Sequence, residues 1–338
     1  MKIAIHHRPG SFSDRWIEYC KENKVDYKLV NAYDSDIMQQ VNDCDAFMWH
    51  HHHANYKDTL FAKQLLYSLQ LAGKKVFPDF ATGWHFDDKV GQKYLFEAIG
   101  APLVPSYTFY TKKEALEWIS STTFPKVFKL RGGAGASNVK LIRTRKDAVR
   151  LVNKAFGKGF PQFDKWGNLK ERFHKWRTGK DSFVGVLKGI ARIMITTEYS
   201  KFHAPEKGYV YFQDFIPNND TDTRIVVIGD KIIGERRGVR KGDFRASGSH
   251  ILLPDYKSVD IRCVNLAYEI SKKINLQIGV FDFIHNDKNK PLVVEVSYGT
   301  DPDYTECQGY WNPKMEFTQC KIDLPYLIIA NFLKTVRF

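Results

Sequence analysis

The first 88 residues alternate short apolar strands with amphipathic helices, and this alternation constrains the fold more than any other feature of the chain. Four runs are predicted as strands, KIAIHH, DYKLVN, AFMWH and KKVFP, and helical patterns such as SDRWIEYCKENK separate them. Strands that alternate with helices form βαβ units, and the strands of such units are parallel. Residues 1–87 are therefore predicted to form a small open parallel-sheet domain.

Length and composition indicate a globular chain with more than one domain. The 338 residues, of which 43% are hydrophobic, can bury two or three cores. No apolar run approaches the ~20 residues that span a bilayer, and MKIAIHHRPG is read as a first strand rather than a signal peptide. The five cysteines show no C-x-x-C spacing, so reduced thiols and a cytoplasmic location are expected.

The net charge of +13 leaves several classes of partner open. Nucleic acid, a membrane surface and an acidic substrate all attract a basic chain. In residues 154–201, Lys and Arg outnumber Asp and Glu and are interleaved with Phe and Trp, which is also typical of nucleic-acid binding. Residues 157–190 fit no clean strand pattern and are predicted to be a basic, partly helical insertion.

A glycine-rich loop joins two predicted strands in KVFKLRGGAGASNV, which begins at Lys126. Exposed backbone N–H groups of such a loop can bind phosphate oxygens, and Lys129 lies just before it. The alternative is an ordinary hairpin turn. The loop is neither a Walker motif nor a dinucleotide fingerprint, because no GK[ST] follows and the next element is predicted to be a strand.

Two acidic residues lie inside a predicted hairpin, VFDFIHNDKNKPLVVEVS. Asp282 and Glu295 are each flanked by apolar residues and would face each other if the strands align. Two buried like charges are costly, and a divalent cation such as Mg²⁺ would relieve the cost. The alternatives are exposure to solvent or pairing with Arg or Lys.

A basic stretch precedes that hairpin, with Arg236, Arg237, Arg240 and Arg245 within ten residues. Guanidinium groups fit phosphate and carboxylate geometry. A solvated basic loop is the alternative. A lysine with a glycine loop, an arginine cluster and paired carboxylates thus follow one another along the chain.

In this order the three features resemble the ATP-grasp ligases, and most closely the ribosomal-protein glutamate ligase branch, over roughly residues 88–299. The resemblance is carried by DDKVGQKYLFEAIGAPLVPSY, KVFKLRGGAGASNV, VYFQDFIP, DTDTRIVVIGDKIIGERR, KGDFRAS and FDFI…LVVEVS. It implies an α/β chain, α+β in its catalytic half, in which two α+β subdomains grip ATP. The expected domains are 1–87, 88–205 with the basic insertion, and 206–338 with the metal site.

The resemblance also implies ATP as cofactor and assigns residues to it. Lys89 and Lys129 would contact phosphates, Asp222 the ribose, and Arg224 would line the site. The glycine flap over the phosphates would consist of Gly132, Gly133, Ala134, Gly135, Ala136 and Ser137. The adenine would meet Gln213, Asp214, Phe215 and Ile216, largely through backbone groups.

The metal and the reaction follow from the same resemblance. Asp282, Glu295 and Ser297 would hold one or two Mg²⁺ ions, and Arg245 would steady the transferred phosphoryl group and the tetrahedral intermediate. ATP would convert a carboxylate into an acylphosphate, which an amine attacks to form an amide. Ser297 stands where the family has Asn, and DFRAS where it has DFRSN, so a second metal ion would be bound more weakly.

Histidines follow two predicted strands, at the edge where open α/β sheets bind ligands. His6, His7, His50 and His51 are candidates for substrate binding; packing in a polar loop and metal binding are the alternatives. Tyr298, Tyr304, Tyr310 and Trp311 are candidates for an acceptor site, because aromatic faces suit sugar rings, with core packing as the alternative.

The expected substrates are small or saccharide-linked carboxylates and amines, and the aromatic segment is similar to that of ATP-grasp proteins of surface-polysaccharide assembly. Two rivals remain open. One is a nucleic-acid or polyanion-binding protein that uses residues 154–201, although nucleic acid explains neither Lys129 nor the carboxylates. The other is a kinase on the same fold. A homodimer is one option for the oligomeric state.

Overall fold

The computed structural model describes residues 1–133, 138–161, 173, 176, 202–239, 243–246, 248–249, 251–253 and 255–334. The chain divides into two compact units, of which unit 1 comprises Met1–His52, Lys57–Val104 and Ile216–Phe338. Unit 2 comprises His53–Tyr56 and Pro105–Phe215. The domain boundaries proposed from the sequence, after residues 87 and 205, stay a prediction.

Unit 1 begins with the open parallel sheet that the alternating pattern predicts, which is confirmed. Its strand order is β2-β1-β3-β4, and every pair is parallel. The strands are β1 (Lys2–His6), β2 (Asp26–Val30), β3 (Ala46–Trp49) and β4 (Lys75–Phe77). The helices of this part are α1 (Phe12–Glu22), α2 (Ile37–Gln40), α3 (Tyr56–Leu71), α4 (Phe80–Gly83) and α5 (Lys89–Ala98).

A second sheet of unit 1 is antiparallel and has the order β13-β12-β9-β10-β14-β15, with β11 paired to β10. Its strands are β9 (Thr221–Ile228), β10 (Lys231–Gly238), β11 (Leu252–Leu253), β12 (Gly279–His285), β13 (Pro291–Ser297), β14 (Gly309–Trp311) and β15 (Phe317–Gln319). A 3₁₀ turn (Tyr256–Ser258) and helices α8 (Ile261–Lys273) and α9 (Leu324–Lys334) complete the unit. This antiparallel sheet agrees with the predicted fold class, which expects α+β structure in the second half of the chain.

The two faces of this antiparallel sheet are covered differently. On one face, Ile225, Val227 and Phe281 pack with Val264 and Ala267 of α8 in one hydrophobic core. On the other face, apolar side chains of β9, β10 and β12 join a core that also contains the parallel sheet and α9; they are Val226, Ile228, Ile233 and Val280. The second face is apolar only at this end of the strands. At the other end it carries the charged side chains described below.

Unit 2 contains a four-stranded antiparallel sheet of order β5-β8-β6-β7. Its strands are β5 (Ser106–Phe109), β6 (Lys126–Lys129), β7 (Val139–Ile142) and β8 (Val210–Asp214), and its helices are α6 (Lys112–Ser121) and α7 (Arg145–Ala155). Thr111 and Thr144 begin the helices, because their hydroxyls accept the N–H groups of Glu114 and Asp147. Ala115 and Val152 of the two helices cover one face of the sheet.

Among the described residues, none of the helices combines the length and the apolar character needed to cross a membrane.

Candidate functional site

Six charged side chains form what we call the charged row, on the second face of the antiparallel sheet. Glu235, Arg224, Asp282 and Glu295 stand opposite one another in order across β10, β9, β12 and β13. Two residues further along the strands, Asp222 stands opposite Arg237. Directly opposed residues of antiparallel strands share a face. The charged row is therefore Asp222, Arg224, Glu235, Arg237, Asp282 and Glu295.

Asp282 is the centre of this network. Its Oδ1 accepts a hydrogen bond from Arg224 Nε at 2.8 Å, and its Oδ2 lies 3.0 Å from Arg224 Nη2 and 2.8 Å from Arg237 Nη2. Asp222 binds the same Arg237, through Nε at 2.8 Å and through Nη2. The sequence left Asp282 either at a metal or with an arginine partner, and in the structure it has two arginine partners.

The pKa values of these acids diverge with their surroundings. Burial alone would raise the pKa of Asp282, but the charges of Arg224 and Arg237 outweigh it and hold the pKa below its usual range. Burial, with the charge of Asp282, raises the pKa of Asp222 to about 6. Burial also raises the pKa of Glu235, against the opposing charges of Arg224 and Arg237. Asp282 is thus the most firmly ionised acid of the row.

A metal ion of the Mg²⁺ type fits the donors at the open end of the row. Asp282 and Glu295 supply hard oxygen atoms on the same face, and Lys89 Nζ lies 4.0 Å from Glu295 Oε2. Asp282 accepts three hydrogen bonds, so part of its lone-pair capacity remains. The Ser297 hydroxyl donates to Gly299 O at 2.8 Å and accepts from Gly299 N at 3.0 Å. Ser297 is therefore engaged in a local turn, whereas the two carboxylates fit a cation.

Sequence reasoning placed Arg237 only in a cluster of arginines and missed Glu235 as a site residue, although a signal was present. Gly229 and Asp230 form a two-residue connection between β9 and β10, with Gly229 at φ 56°. Such a short turn sets the register of a hairpin. Counting back from it places Glu235 opposite Arg224 and Arg237 opposite Asp222. The strand positions of these charges were therefore readable from the turn.

In unit 2, Lys129 is the last residue of β6 and is buried, with its register partners Val139 and Tyr211 on either side. Its side chain shares the sheet face that is opposite α6 and α7, because Phe128 packs toward those helices. Gly132 and Gly133 open the predicted flap, and Gly133 has φ 107°, which requires glycine. The rest of the flap, Ala134 to Ser137, lies outside the described residues. Lys129 thus stands at the start of the loop, as its place in the sequence implied.

The predicted adenine hinge lies at the end of β8. Gln213 is buried and donates to Ser106 Oγ at 3.1 Å, whereas Asp214 accepts from Lys126 Nζ at 2.6 Å. The unit boundary falls between Phe215 and Ile216. The Asp214 carboxylate is thus engaged, which is compatible with recognition through backbone groups.

The arginine stretch after β10 splits into different environments. Arg236 donates to Thr221 Oγ1 at 2.7 Å, whereas Arg237 belongs to the charged row. Arg245 donates to both oxygens of Asp243 at 2.8–3.2 Å. Arg240 and Ser247 lie outside the described residues, as do residues 162–201 of the basic segment apart from Phe173 and Trp176.

Three of the four candidate histidines are buried. His6 Nδ1 accepts from Ala32 N at 2.9 Å, and burial lowers the pKa of His6 to about 4. The His50 ring stacks on Phe12 at 3.7 Å. Burial also holds the pKa of His51 well below its ordinary value. His7 is largely exposed, with Nδ1 3.1 Å from Ser13 Oγ.

The four candidate aromatic residues divide between packing and the charged row. Tyr298 is fully buried and donates to the His51 carbonyl, and Trp311 is buried in the core under α8. The ring of Tyr310 lies under Lys231 Nζ at 4.7 Å. Tyr304 is buried within electrostatic range of Arg224 and Glu235. Tyr304 is therefore the aromatic candidate that belongs to the charged row.

A separate cluster joins Asp260, Cys263 and His285, whose ligand atoms lie within 4.8 Å of one another. His285 Nε2 is 2.8 Å from Asp260 Oδ2 and 3.9 Å from Cys263 Sγ. The Asp260 carboxylate caps α8 and binds the Arg262 guanidinium at 2.6 Å, which lowers the pKa of Asp260 to about 2. These contacts account for the cluster as the N-terminal cap of a helix.

Comparison with known proteins gave one family match, a RimK-like ATP-grasp domain over residues 188–308. No curated protein matches the chain. The solved structures that share its fold include a synthetase, a ligase and a biotin carboxylase domain. The D-cycloserine synthetase DcsG has 12% identity, covers 100% of both chains and has a TM-score of 0.59. The D-alanine–D-alanine ligase of Bacillus anthracis has 14% identity, 99% and 98% coverage of this chain and that one, and a TM-score of 0.55. The third is the biotin carboxylase domain of 2-oxoglutarate carboxylase from Hydrogenobacter thermophilus, in complex with MgADP; it has 14% identity, 98% and 69% coverage and a TM-score of 0.55.

At these identities the solved structures establish the fold, and the family match covers residues 188–308. Both agree with the resemblance that the motifs indicate. Residues 188–308 are therefore similar to a RimK-like ATP-grasp domain, and the chain shares the fold of the synthetase and the ligase.

Proposed function

We propose that the protein is an ATP-dependent ligase that joins a carboxylate to an amine through an acylphosphate. The charged row carries this proposal. It places two acids directly opposite each other on one face, beside the half-buried Arg224, the buried Arg237 and Lys89. Phosphoryl transfer needs positioning and charge neutralisation more than covalent chemistry, and these groups supply both.

The roles of the row follow from its charges. Asp282 and Glu295 would hold Mg²⁺, with Ser297 as a weaker third candidate, and the ion would neutralise charge on the phosphate oxygens when bound. Lys89 lies next to Glu295, where its ammonium would contact the same phosphates. Arg224 would steady the acylphosphate, because its guanidinium is held rigidly by Asp282.

The remaining proposed contacts are to the nucleotide. Lys129 and the glycine loop would bind phosphates, and Gln213 to Ile216 would meet the adenine. Arg245 would assist at the tetrahedral intermediate. Asp222 already accepts two hydrogen bonds from Arg237, so a ribose contact would use its remaining lone pairs.

The substrates we propose are a small or saccharide-linked carboxylate and an amine, as in assembly of a surface polysaccharide. The aromatic residues that follow the metal strands support a sugar-bearing substrate, because aromatic faces suit sugar rings. A kinase would use the same charged groups but would leave phosphate ester-linked. Measuring whether the product phosphate is free separates the two reactions.

The test is an ADP-release screen of carboxylates crossed with amines in the presence of Mg²⁺. Lys129→Ala and Glu295→Ala should each abolish carboxylate-dependent ADP release while the circular dichroism spectrum stays unchanged. Lys140→Ala, on an exposed position of β7, is the matched control and should retain turnover. Unchanged turnover in either site variant would exclude the proposed site.

A further inference from the structure

We propose that Glu235 binds the ammonium group of the amine substrate and accepts its proton before the amine attacks. This inference rests on the proposed ligase function and assigns the amine to one end of the charged row. It also defines the substrate class, which is an amine that is protonated at neutral pH.

Glu235 is the buried acid of the row that accepts no hydrogen bond from a guanidinium group of the described residues, although it stands opposite Arg224. Asp222 and Asp282 each accept two or more hydrogen bonds from arginine. Glu235 is only 8% exposed, yet its one hydrogen-bond contact among the described residues is the Cys307 thiol, 3.9 Å from Oε2. A thiol is a weak donor. A buried carboxylate with so weak a partner is expected to attract a cation.

The charge of the row leads to the same conclusion. Its four acids face two guanidinium groups and the Lys89 ammonium group beside Glu295, so one negative charge is in excess when all are ionised. Burial raises the pKa of Glu235, although the charges of Arg224 and Arg237 oppose the shift. An ammonium group next to Glu235 would balance the charge.

An organic cation fits this position better than a metal ion. The Cys307 thiol contacts Glu235 and Tyr304 lies within its electrostatic range, whereas Mg²⁺ requires several hard oxygen atoms. Metal binding is therefore assigned to the other end of the row, at Asp282 and Glu295.

The distance between Glu235 and Asp282 leaves room for the amine substrate beside the metal site. Glu235 and Asp282 stand on strands that flank β9, and neighbouring strands are about 4.8 Å apart, so their backbones are about 10 Å apart. Arg224, the proposed acylphosphate contact, stands between them. The amine would thus lie beside the reacting carbon and away from the metal.

Residues 301–307, which include the Cys307 contact of Glu235, carry exposed acidic side chains. Tyr304 and Cys307 are buried, whereas Asp301, Asp303 and Glu306 of the same segment are exposed. The chain as a whole carries a charge of +13, so this is a local reversal of sign. Such a patch raises the local concentration of cations near the buried acid.

Amide formation then proceeds by proton transfer and nucleophilic attack. The bound ammonium gives one proton to the Glu235 carboxylate, and the neutral nitrogen attacks the acylphosphate carbon. The new C–N bond replaces the C–O bond to phosphate, which leaves with the bonding electron pair and takes the second nitrogen proton. Glu235 then returns its proton to solvent.

The decisive experiment compares two nucleophiles on wild type and Glu235→Gln. Hydroxylamine is uncharged at neutral pH and needs no proton acceptor, whereas ethanolamine is protonated. With the carboxylate found in the ADP screen, Glu235→Gln should lose about 100-fold in kcat/KM for ethanolamine. It should keep hydroxamate formation with hydroxylamine within about 3-fold.

Glu235→Asp should recover part of the loss, and Glu97→Gln, on the exposed side of α5, is the control. Equal losses with both nucleophiles, or no loss, would overturn the assignment.

A binding measurement decides the inference separately from the ligase function. Saturation-transfer NMR with ethanolamine, on the full chain with Mg²⁺ and a non-hydrolysable ATP analogue, should give a signal in wild type that Glu235→Gln reduces at least fivefold. Equal signals in the two proteins, or none in wild type, would refute the ammonium site. Failure to form hydroxamate from every carboxylate tested would instead refute the ligase proposal.

Discussion

The two sheets of unit 1 both present polar side chains near strand ends, but the two groups differ in charge. On the antiparallel sheet, Asp282 binds both Arg224 and Arg237, and these charges lower its pKa, although burial raises the pKa values of Asp222 and Glu235. On the parallel sheet, His6 and His51 are buried and their pKa values are lowered. The first region thus keeps Asp282 and its arginine partners charged, whereas the second keeps its imidazoles neutral.

Register explains the difference. In the antiparallel sheet, each arginine of the row stands opposite an acid, so burial of one charge is compensated by the next. In the parallel sheet, His6 meets the Ala32 N–H and the rings of Tyr33 and Trp49. An imidazole can lose its proton at little cost, whereas a guanidinium cannot. Chemistry that needs fixed charge is therefore expected at the row.

Asp282→Asn should have the largest effect. It removes the acid that binds two guanidinium groups, so a loss of about 3–5 kcal/mol in the free energy of unfolding is expected, and ligase activity should be abolished. Urea denaturation and ADP release measure the two losses. Asp287→Asn, on the exposed turn of the same hairpin, should change stability by less than about 0.5 kcal/mol. Comparable stability of the two variants would contradict the compensated row.

Arg237→Met should rank second, because it leaves Asp222 without its partner and Asp282 with Arg224 alone. We expect a loss of about 3 kcal/mol in the free energy of unfolding. The neighbouring residue provides the control: Arg236 points to the other face and binds Thr221, so Arg236→Met should cost less than about 1 kcal/mol. A lower urea midpoint for Arg236→Met than for Arg237→Met would show that the row is not the stabilising network.

The sequence alone was sufficient for much of this fold but for less of the site. The alternation of strands and helices predicted the parallel sheet, because period and length suffice for that. The motifs located Asp282 and Glu295 as a facing pair, and the register confirms it. The arginine partners of Asp282 were left open, because their choice depends on which strand, β9, lies beside β12.

The histidines show the same limit more clearly. His6 and His50 stand at strand ends where ligands bind in open sheets, so the sequence favoured no single role for them. Their environment depends on residues distant in the chain, since His6 binds Ala32 and His50 contacts both Phe12 and Tyr298. Packing of this kind has no local signature in a sequence.

His6→Leu should cost about 1–3 kcal/mol, because the buried Ala32 N–H loses its acceptor. His6→Asn should recover most of that loss, since the amide oxygen can accept the same hydrogen bond. Thermal unfolding at pH 8 measures both variants. Equal losses for Leu and Asn would mean that ring packing, rather than the hydrogen bond, is what His6 contributes.

His6 also predicts a pH dependence. Its pKa is about 4 in the folded chain and about 6.5 when unfolded, so the unfolded chain binds more protons between these values. The contribution of His6 is therefore complete above pH 6.5 and is lost as the pH falls toward 4. His6→Asn should flatten the stability profile in that window. A profile as steep as that of wild type would assign the acid sensitivity to other groups.

His7→Ala should have the smallest effect and separates packing from ligand binding most cleanly. The His7 ring is largely exposed, with Ser13 Oγ at 3.1 Å and Asp14 at 3.6 Å, so its loss should cost less than about 0.5 kcal/mol. His7 follows His6 directly, and the two side chains differ in burial rather than in chemistry. An unchanged melting temperature with a raised KM in the ligase assay would place His7 at the substrate. A melting temperature lowered as far as in His6→Leu would instead show that burial does not decide how much each histidine contributes to stability. The contrast between the two sheets would then rest on the charged row alone.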